Sequence, residues 1–159
     1  MKMMLKMVFF LVLITAAALP QKKVTVSLDG KAWKGELHSA QVSKLFNKSF
    51  LKLHFVSGRE ELSIEVDMAN LGGKSQAQLT YKPMKRLSDP SPSFTVSYFE
   101  NELDKWVAVS GTLNISQNDE TKNLLSGELD AKLERKAPGN ENKQPRSVKV
   151  TFANVKYLK

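Results

Sequence analysis

No cysteine occurs in the 159 residues, and there are only two histidines, His38 and His54. A chain without cysteine has no disulfide to staple it, so its stability must come from burial of a core. The same absence removes the lipid-bearing cysteine that a processed lipoprotein needs at its new N-terminus. Two histidines without H-x-x-x-H or C-x-x-C spacing exclude the common zinc sets. His54 alternates to a polar face beside Lys52, and His38 sits at a bend. Neither is read as a metal ligand, and no cofactor is expected. No G-x-S-x-G elbow presents a serine nucleophile, and Ser110-Gly111 lies inside a strand pattern. Gly73-Lys74-Ser75 mimics the end of a phosphate-binding loop, but the required earlier glycine falls at Met68 and no helix follows. Glu128, Asp130 and Glu134 share one polar strand face with Lys132, an arrangement of solvated, salt-bridging charges rather than of carboxylates across a cleft. The chain is read as non-catalytic.

Long apolar runs are also missing, with one exception at the start. Lys2 and Lys6 precede an unbroken apolar stretch from Met7 to Ile14, and Thr15-Ala16-Ala17-Ala18 supplies small residues in an A-x-A arrangement. This is the layout of a cleavable signal peptide covering residues 1–18. A membrane-spanning helix needs about 20 apolar residues, and this run stops at Pro20-Gln21-Lys22-Lys23. The expectation is an exported protein, periplasmic or extracellular, with residues 19–159 as one domain and no transmembrane segment after cleavage. Without Lys2 and Lys6 the 24 basic residues fall to 22 against 16 acidic, a formal charge of +6 in place of +8. Such a balance favours anionic surfaces. It also suits a β-protein that uses lysine to solvate its faces and blunt its edges.

Period-two alternation dominates the rest. Val24, Val26 and Leu28 precede an Asp29-Gly30 turn, and Trp33, Gly35 and Leu37 begin the return strand, in register for the core. Ala40 and Val42 continue it past a bend at His38-Ser39; Ser39 to Phe46 also reads as a short helix. Leu51, Leu53 and Phe55, then Leu62, Ile64 and Val66, form the clearest hairpin around Ser57-Gly58-Arg59. A weaker strand runs through Ala77, Leu79 and Tyr81. Residues 82–93 contain three prolines and no alternation, so they form a long connection. Phe94, Val96 and Tyr98 resume the pattern. Val107 to Ile115 and Leu125 to Leu133 follow as long strands, and 136–146 is a polar loop. Val148, Val150 and Phe152 begin a last strand with a change of face near Ala153-Asn154-Val155. This is an all-β antiparallel domain of about nine or ten strands, a β-sandwich or a closed β-barrel.

Two features stand out as ligand-binding candidates. Trp106 falls on the polar face with Ala108, Ser110 and Thr112, opposite Val107, Val109 and Leu113. An indole there can stack on a sugar or enter a partner's pocket, or it can be covered by a loop. Lys82, Lys85 and Arg86, with Met84 and Leu87 among them, form a basic loop suited to an anionic glycolipid or a protein. The alternative is an idle connection. Nucleic acid is not an expected partner, since no recognition motif is present.

Leu28-Asp29-Gly30-Lys31-Ala32-Trp33, Gly111-Thr112-Leu113-Asn114-Ile115, Leu125-Ser126-Gly127-Glu128-Leu129 and Phe152-Ala153-Asn154-Val155-Lys156-Tyr157 stand in a familiar order. The set resembles an uncharacterised family of small exported β-domains common in Bacteroidota, many of them lipoproteins. The resemblance implies an envelope or secreted location and no particular reaction. A weaker likeness is to lipocalins, whose early motif is G-x-W where this chain has Gly30 and Trp33 at G-x-x-W. The function expected is a non-catalytic binding module for an envelope protein, glycan or anionic glycolipid. The rival is a lipocalin-like barrel carrying a small apolar ligand, and a core filled by Leu51, Leu53, Leu62, Ile64, Val109 and Leu129 would exclude it.

Overall fold

The computed structural model describes residues 23–86, 88–136 and 144–159. Residues 1–22, which include the expected signal peptide of residues 1–18, together with Leu87 and residues 137–143 of the polar loop, lie outside the described residues. Ten strands run in chain order: β1 (Lys23–Leu28), β2 (Lys31–Trp33), β3 (Glu36–Leu45), β4 (Lys48–Ser57), β5 (Glu60–Asp67), β6 (Ala77–Thr80), β7 (Phe94–Asn101), β8 (Asp104–Asp119), β9 (Leu124–Arg135) and β10 (Arg146–Lys156). A short 3-10 turn at Met68–Asn70 is the only helical element among the described residues. Ser39 to Phe46, readable as a helix, belongs to strand β3. The strands make one antiparallel sheet in the order β2-β1-β10-β9-β8-β7-β5-β4-β3, with β6 added to β8 off that path.

Turn chemistry sets the hairpins. Asp29 and Gly30 have φ of 52° and 76° between paired Leu28 and Lys31, which is the left-handed pair that a two-residue hairpin with the native strand twist requires. Gly58, at φ 61°, opens the two-residue loop between Ser57 and Glu60. Between them the alternation works as the sequence implies. Leu51, Leu53, Phe55, Leu62, Ile64 and Val66 are buried, while Lys52 reaches Glu65 across the outer face at 3.7 Å.

The sheet curls into a half-barrel. Its two edge strands, β2 and β3, are consecutive in the chain and separated only by Lys34-Gly35. Three peptide steps span at most about 11 Å, so the edges must approach each other there. At the opposite end the chain beyond β10 lies along β3. The Leu158 N–H donates to the Ala40 carbonyl at 3.0 Å, and the Val42 N–H donates to the Leu158 carbonyl at 2.7 Å. One contiguous apolar cluster fills the concave side, from Val26 through Leu51, Phe55, Phe94 and Leu129 to Tyr157.

The sequence reading of Trp106 needs correction. The residue is 2% exposed and belongs to this core, not to a polar face. The cause is a pair of bulges in β8. Its register against β9 shifts between Ala108 and Ser110 and again between Ile115 and Gln117. An extra residue reverses which side chains point inward. Trp106 and Ala108 therefore face the core before the first shift, Leu113 and Ile115 after it, and Asn118 after the second. Val109, expected in the core, sits in the first bulge and is only half-buried. A third irregularity, between Phe152 and Val155 of β10 with Asn154 at φ 53°, is the change of face expected there.

Candidate functional site

The site begins where β5 ends. The Asp67 carboxylate accepts the Ala69 N–H at 3.0 Å and starts the 3-10 turn. Leu71 then plugs into the core. Asn118, turned inward by the second β8 bulge, holds the following loop. Its Nδ2 donates to the Lys74 carbonyl at 3.1 Å and the Leu71 carbonyl at 3.4 Å, and its backbone N–H donates to the Ser75 carbonyl at 2.8 Å. The chain is thereby delivered to β6, which pairs with β8 in the register Ala77↔Ile115 to Thr80↔Thr112.

Strand β6 has a free edge. The Tyr81 N–H donates to the Gly111 carbonyl at 2.9 Å, which continues that register by one residue. In an antiparallel ladder, bonded and non-bonded pairs alternate. Ala77, Leu79 and Tyr81 thus turn their backbone groups to β8, and Gln78 and Thr80 turn theirs away. The Thr80 carbonyl accepts the Ser93 hydroxyl at 3.4 Å. Among the described residues β6 pairs with β8 alone, so the Gln78 N–H and carbonyl and the Thr80 N–H meet no strand.

Prolines line the space beside that edge. A cleft of about 540 Å³ lies between β6 and the returning loop, walled on one side by Gln78, Leu79 and Thr80 and on the other by Pro90, Ser91 and Pro92. A proline carries no N–H to donate to a ladder. Pro90 and Pro92 offer β6 no donor, and no backbone hydrogen bond joins residues 90–92 to β6 among the described residues. The loop tip is fixed from within by Asp89, whose Oδ2 accepts the N–H groups of Lys85 at 2.7 Å and Arg86 at 2.9 Å. Of the basic residues singled out from the sequence, Lys82 lines the cleft beside Pro83. Lys85 and Arg86 are exposed at the tip. Trp106 is remote from all three, under the far end of the sheet.

An aromatic and charged cluster gathers at that far end of the half-barrel. The Arg146 guanidinium lies 5.0 Å from the Trp106 ring and 5.5 Å from the Tyr98 ring. It pairs with Asp29 at 3.2 Å and Glu100 at 3.5 Å. Trp33 packs edge-on to Tyr98 and donates its indole N–H to Glu60, while Arg135 pairs with Asp104. Burial pushes the Tyr98 hydroxyl up to about 12; Glu60 and Glu100 add to the shift and Arg146 opposes it. Among the described residues, the Trp106 Nε1 and the Arg146 Nη1 have no hydrogen-bond partner. These donors do not make an anion site, because Asp29, Glu60, Glu100 and Asp104 outnumber Arg135 and Arg146 around them. The cluster pins β2 to β5 and β7, with Trp33 as the pin.

His38 and His54 do come together, their rings edge-to-face with centroids 5.7 Å apart. The His54 Nε2 lies 3.2 Å from Glu61. The pair sits on the outer face of β3 and β4, and no group of three or more His, Cys, Asp or Glu suited to a metal occurs among the described residues. No serine hydroxyl bonds to either ring among those residues.

No family model, curated protein or solved structure matches the chain.

Proposed function

We propose that this chain is an exported, non-catalytic binding module that receives an extended segment of a partner protein along the edge of β6. The observation that carries the reading is the pair of outward-facing residues, Gln78 and Thr80, left without a neighbouring strand beside a cleft walled by proline. An exposed strand edge takes up an extended peptide by continuing its ladder, and flanking side chains then select among peptides. Lys82 on the wall, with Lys85 and Arg86 at the rim, favours a segment with acidic residues.

The filled core supports this over the carrier. Leu51, Leu53, Leu62, Ile64 and Leu129 occupy the concave side of the sheet, and the cleft is a surface feature. The separation of the histidines from serine and from a cleft supports a non-catalytic role.

Panning a displayed library of random peptides against the folded protein tests the reading. Selected peptides are expected to be extended and acidic, and to slow amide hydrogen exchange at Gln78 and Thr80. Gln78→Pro removes an outward donor, a substitution that edge strands tolerate, and should abolish binding while the protein still unfolds cooperatively. Peptides that bind Gln78→Pro as well as the unaltered protein would overturn the proposal. A library that yields no peptide specific for the folded protein would do so too.

A further inference from the structure

The β3–β4 hairpin ends in an apolar tip that nothing in the fold uses. Phe46 is 95% exposed and Leu45 is 60% exposed. Phe46 also has φ 53°, in the left-handed region that glycine or asparagine occupies more easily than an aromatic residue. A bulky side chain that is strained and buries nothing is poorly explained by stability, and such outliers gather at functional positions. Lys44 and Lys48 flank the tip on either strand. Leu158, 69% exposed, lies beside the same edge through its bonds to Ala40 and Val42.

Lysines outnumber acids around this end. Lys122, Lys156 and Lys159 join Lys44 and Lys48 there, tied in by the Tyr157 N–H to the Asn123 carbonyl at 3.0 Å and by the Lys159 Nζ to the Glu120 carbonyl at 3.1 Å. The acids at this end are Asp67, Asp119 and Glu120. Asp67 is already paired with Lys48 at 3.8 Å, and Asp119 with Lys122 at 3.6 Å. The opposite end of the barrel also exposes a large apolar side chain, Leu103 at 85%. That end carries both signs, with Arg59 and Glu102 beside Leu103, Lys105 over Phe99, and Arg135 and Arg146 paired with Asp104, Asp29 and Glu100. An anionic surface would therefore draw the Phe46 end toward it in preference to the Leu103 end.

We infer that the Leu45-Phe46 tip and its surrounding lysines dock the protein onto an anionic phospholipid bilayer. The tip is convex, a single ring on a two-residue loop, and it fits a deformable interface better than a flat protein face. Phe46 and Leu45 enter the headgroup boundary, and the lysines stay at the surface with the lipid phosphates. This goes beyond the peptide-groove reading and uses none of its residues.

Co-sedimentation with vesicles of phosphatidylcholine alone, and of phosphatidylcholine mixed with phosphatidylglycerol, is the test. Binding is expected only to the anionic vesicles and is expected to weaken with added salt. Phe46→Asn suits the left-handed backbone, so it should fold as well as the unaltered protein. It should lower partitioning about tenfold or more, the ratio expected when one large apolar side chain is withdrawn from an interface. Leu103→Asn should leave partitioning unchanged. Failure to bind anionic vesicles, or equal binding by Phe46→Asn, would overturn the inference. So would a tip that ignores vesicles and binds an acidic protein instead.

Discussion

Replacing Gly127 with alanine is the sharpest probe of the packed interior. Gly127 is buried in β9 between Ile115 of β8 and Phe152 of β10. A Cβ built there would stand 2.5 Å from the Asn114 carbonyl oxygen and 2.9 Å from the Phe152 Cζ. The carbonyl belongs to the β8 backbone and cannot swing aside, so either the ladder opens or the Phe152 ring leaves its seat. Forcing a methyl into a filled core costs about 1–3 kcal/mol, and a clash with backbone belongs at the upper end. For a domain of this size each kcal/mol lowers Tm by about 3–4 °C, so a fall of about 10 °C is expected. Gly72→Ala is the control. Its added Cβ would meet only the Met68 carbonyl oxygen, at 3.7 Å, and it should change stability by less than about 0.5 kcal/mol. Urea and thermal unfolding followed by circular dichroism would measure both. If Gly127→Ala proved as mild as Gly72→Ala, β9 and β10 would not be packed in this register, and the filled core that disfavours the carrier would lose its support.

Other consequences are as specific. Trp106→Ala should cost about 3–5 kcal/mol in urea unfolding, as for any large buried aromatic residue; a loss under 1 kcal/mol would return the indole to the surface. Asn118→Ala leaves the Leu71 and Lys74 carbonyls without their shared donor, and should cost about 1–3 kcal/mol while speeding amide exchange through residues 71–76. Tyr98 holds its proton more tightly when folded, with its hydroxyl at about 12 against an ordinary 10.0. Between those two values the folded state binds more protons than the unfolded one, so stability falls as pH rises through the window. Tyr98→Phe should flatten that part of the pH–stability profile, and an unchanged profile would contradict the burial of the hydroxyl.

Much of this fold is legible in the sequence because one physical pattern writes it. Strands β4 and β5 alternate without interruption, so each side chain's face follows from its position. Asp29-Gly30 and Gly58 announce their hairpins because the turns demand left-handed backbone. The pattern misleads in β8, where each bulge inverts the parity and no side chain signals it. Reading Val107 to Leu113 in one unbroken register put Trp106 on the wrong face and Val109 in the core. The meeting of the sheet edges is written in even less, the two residues Lys34-Gly35 and a backbone contact from Leu158. The groove was half-visible. The prolines and Lys82 drew notice, but the outward amides of Gln78 and Thr80 are backbone groups, and only the pairing of β6 to a single neighbour brings them out. Phe46 closes the Ser39–Phe46 segment in the sequence, where an apolar residue signals neither its positive φ nor its exposure.

Amide hydrogen exchange in the free protein bears most directly on the open edge of β6. The Leu79 and Tyr81 amides, bonded to β8, should exchange slowly, and the Gln78 and Thr80 amides between them should exchange at nearly the rate of an unstructured chain. Slow exchange at all four would mean that the edge is already paired, and the groove would have no ladder to offer a partner.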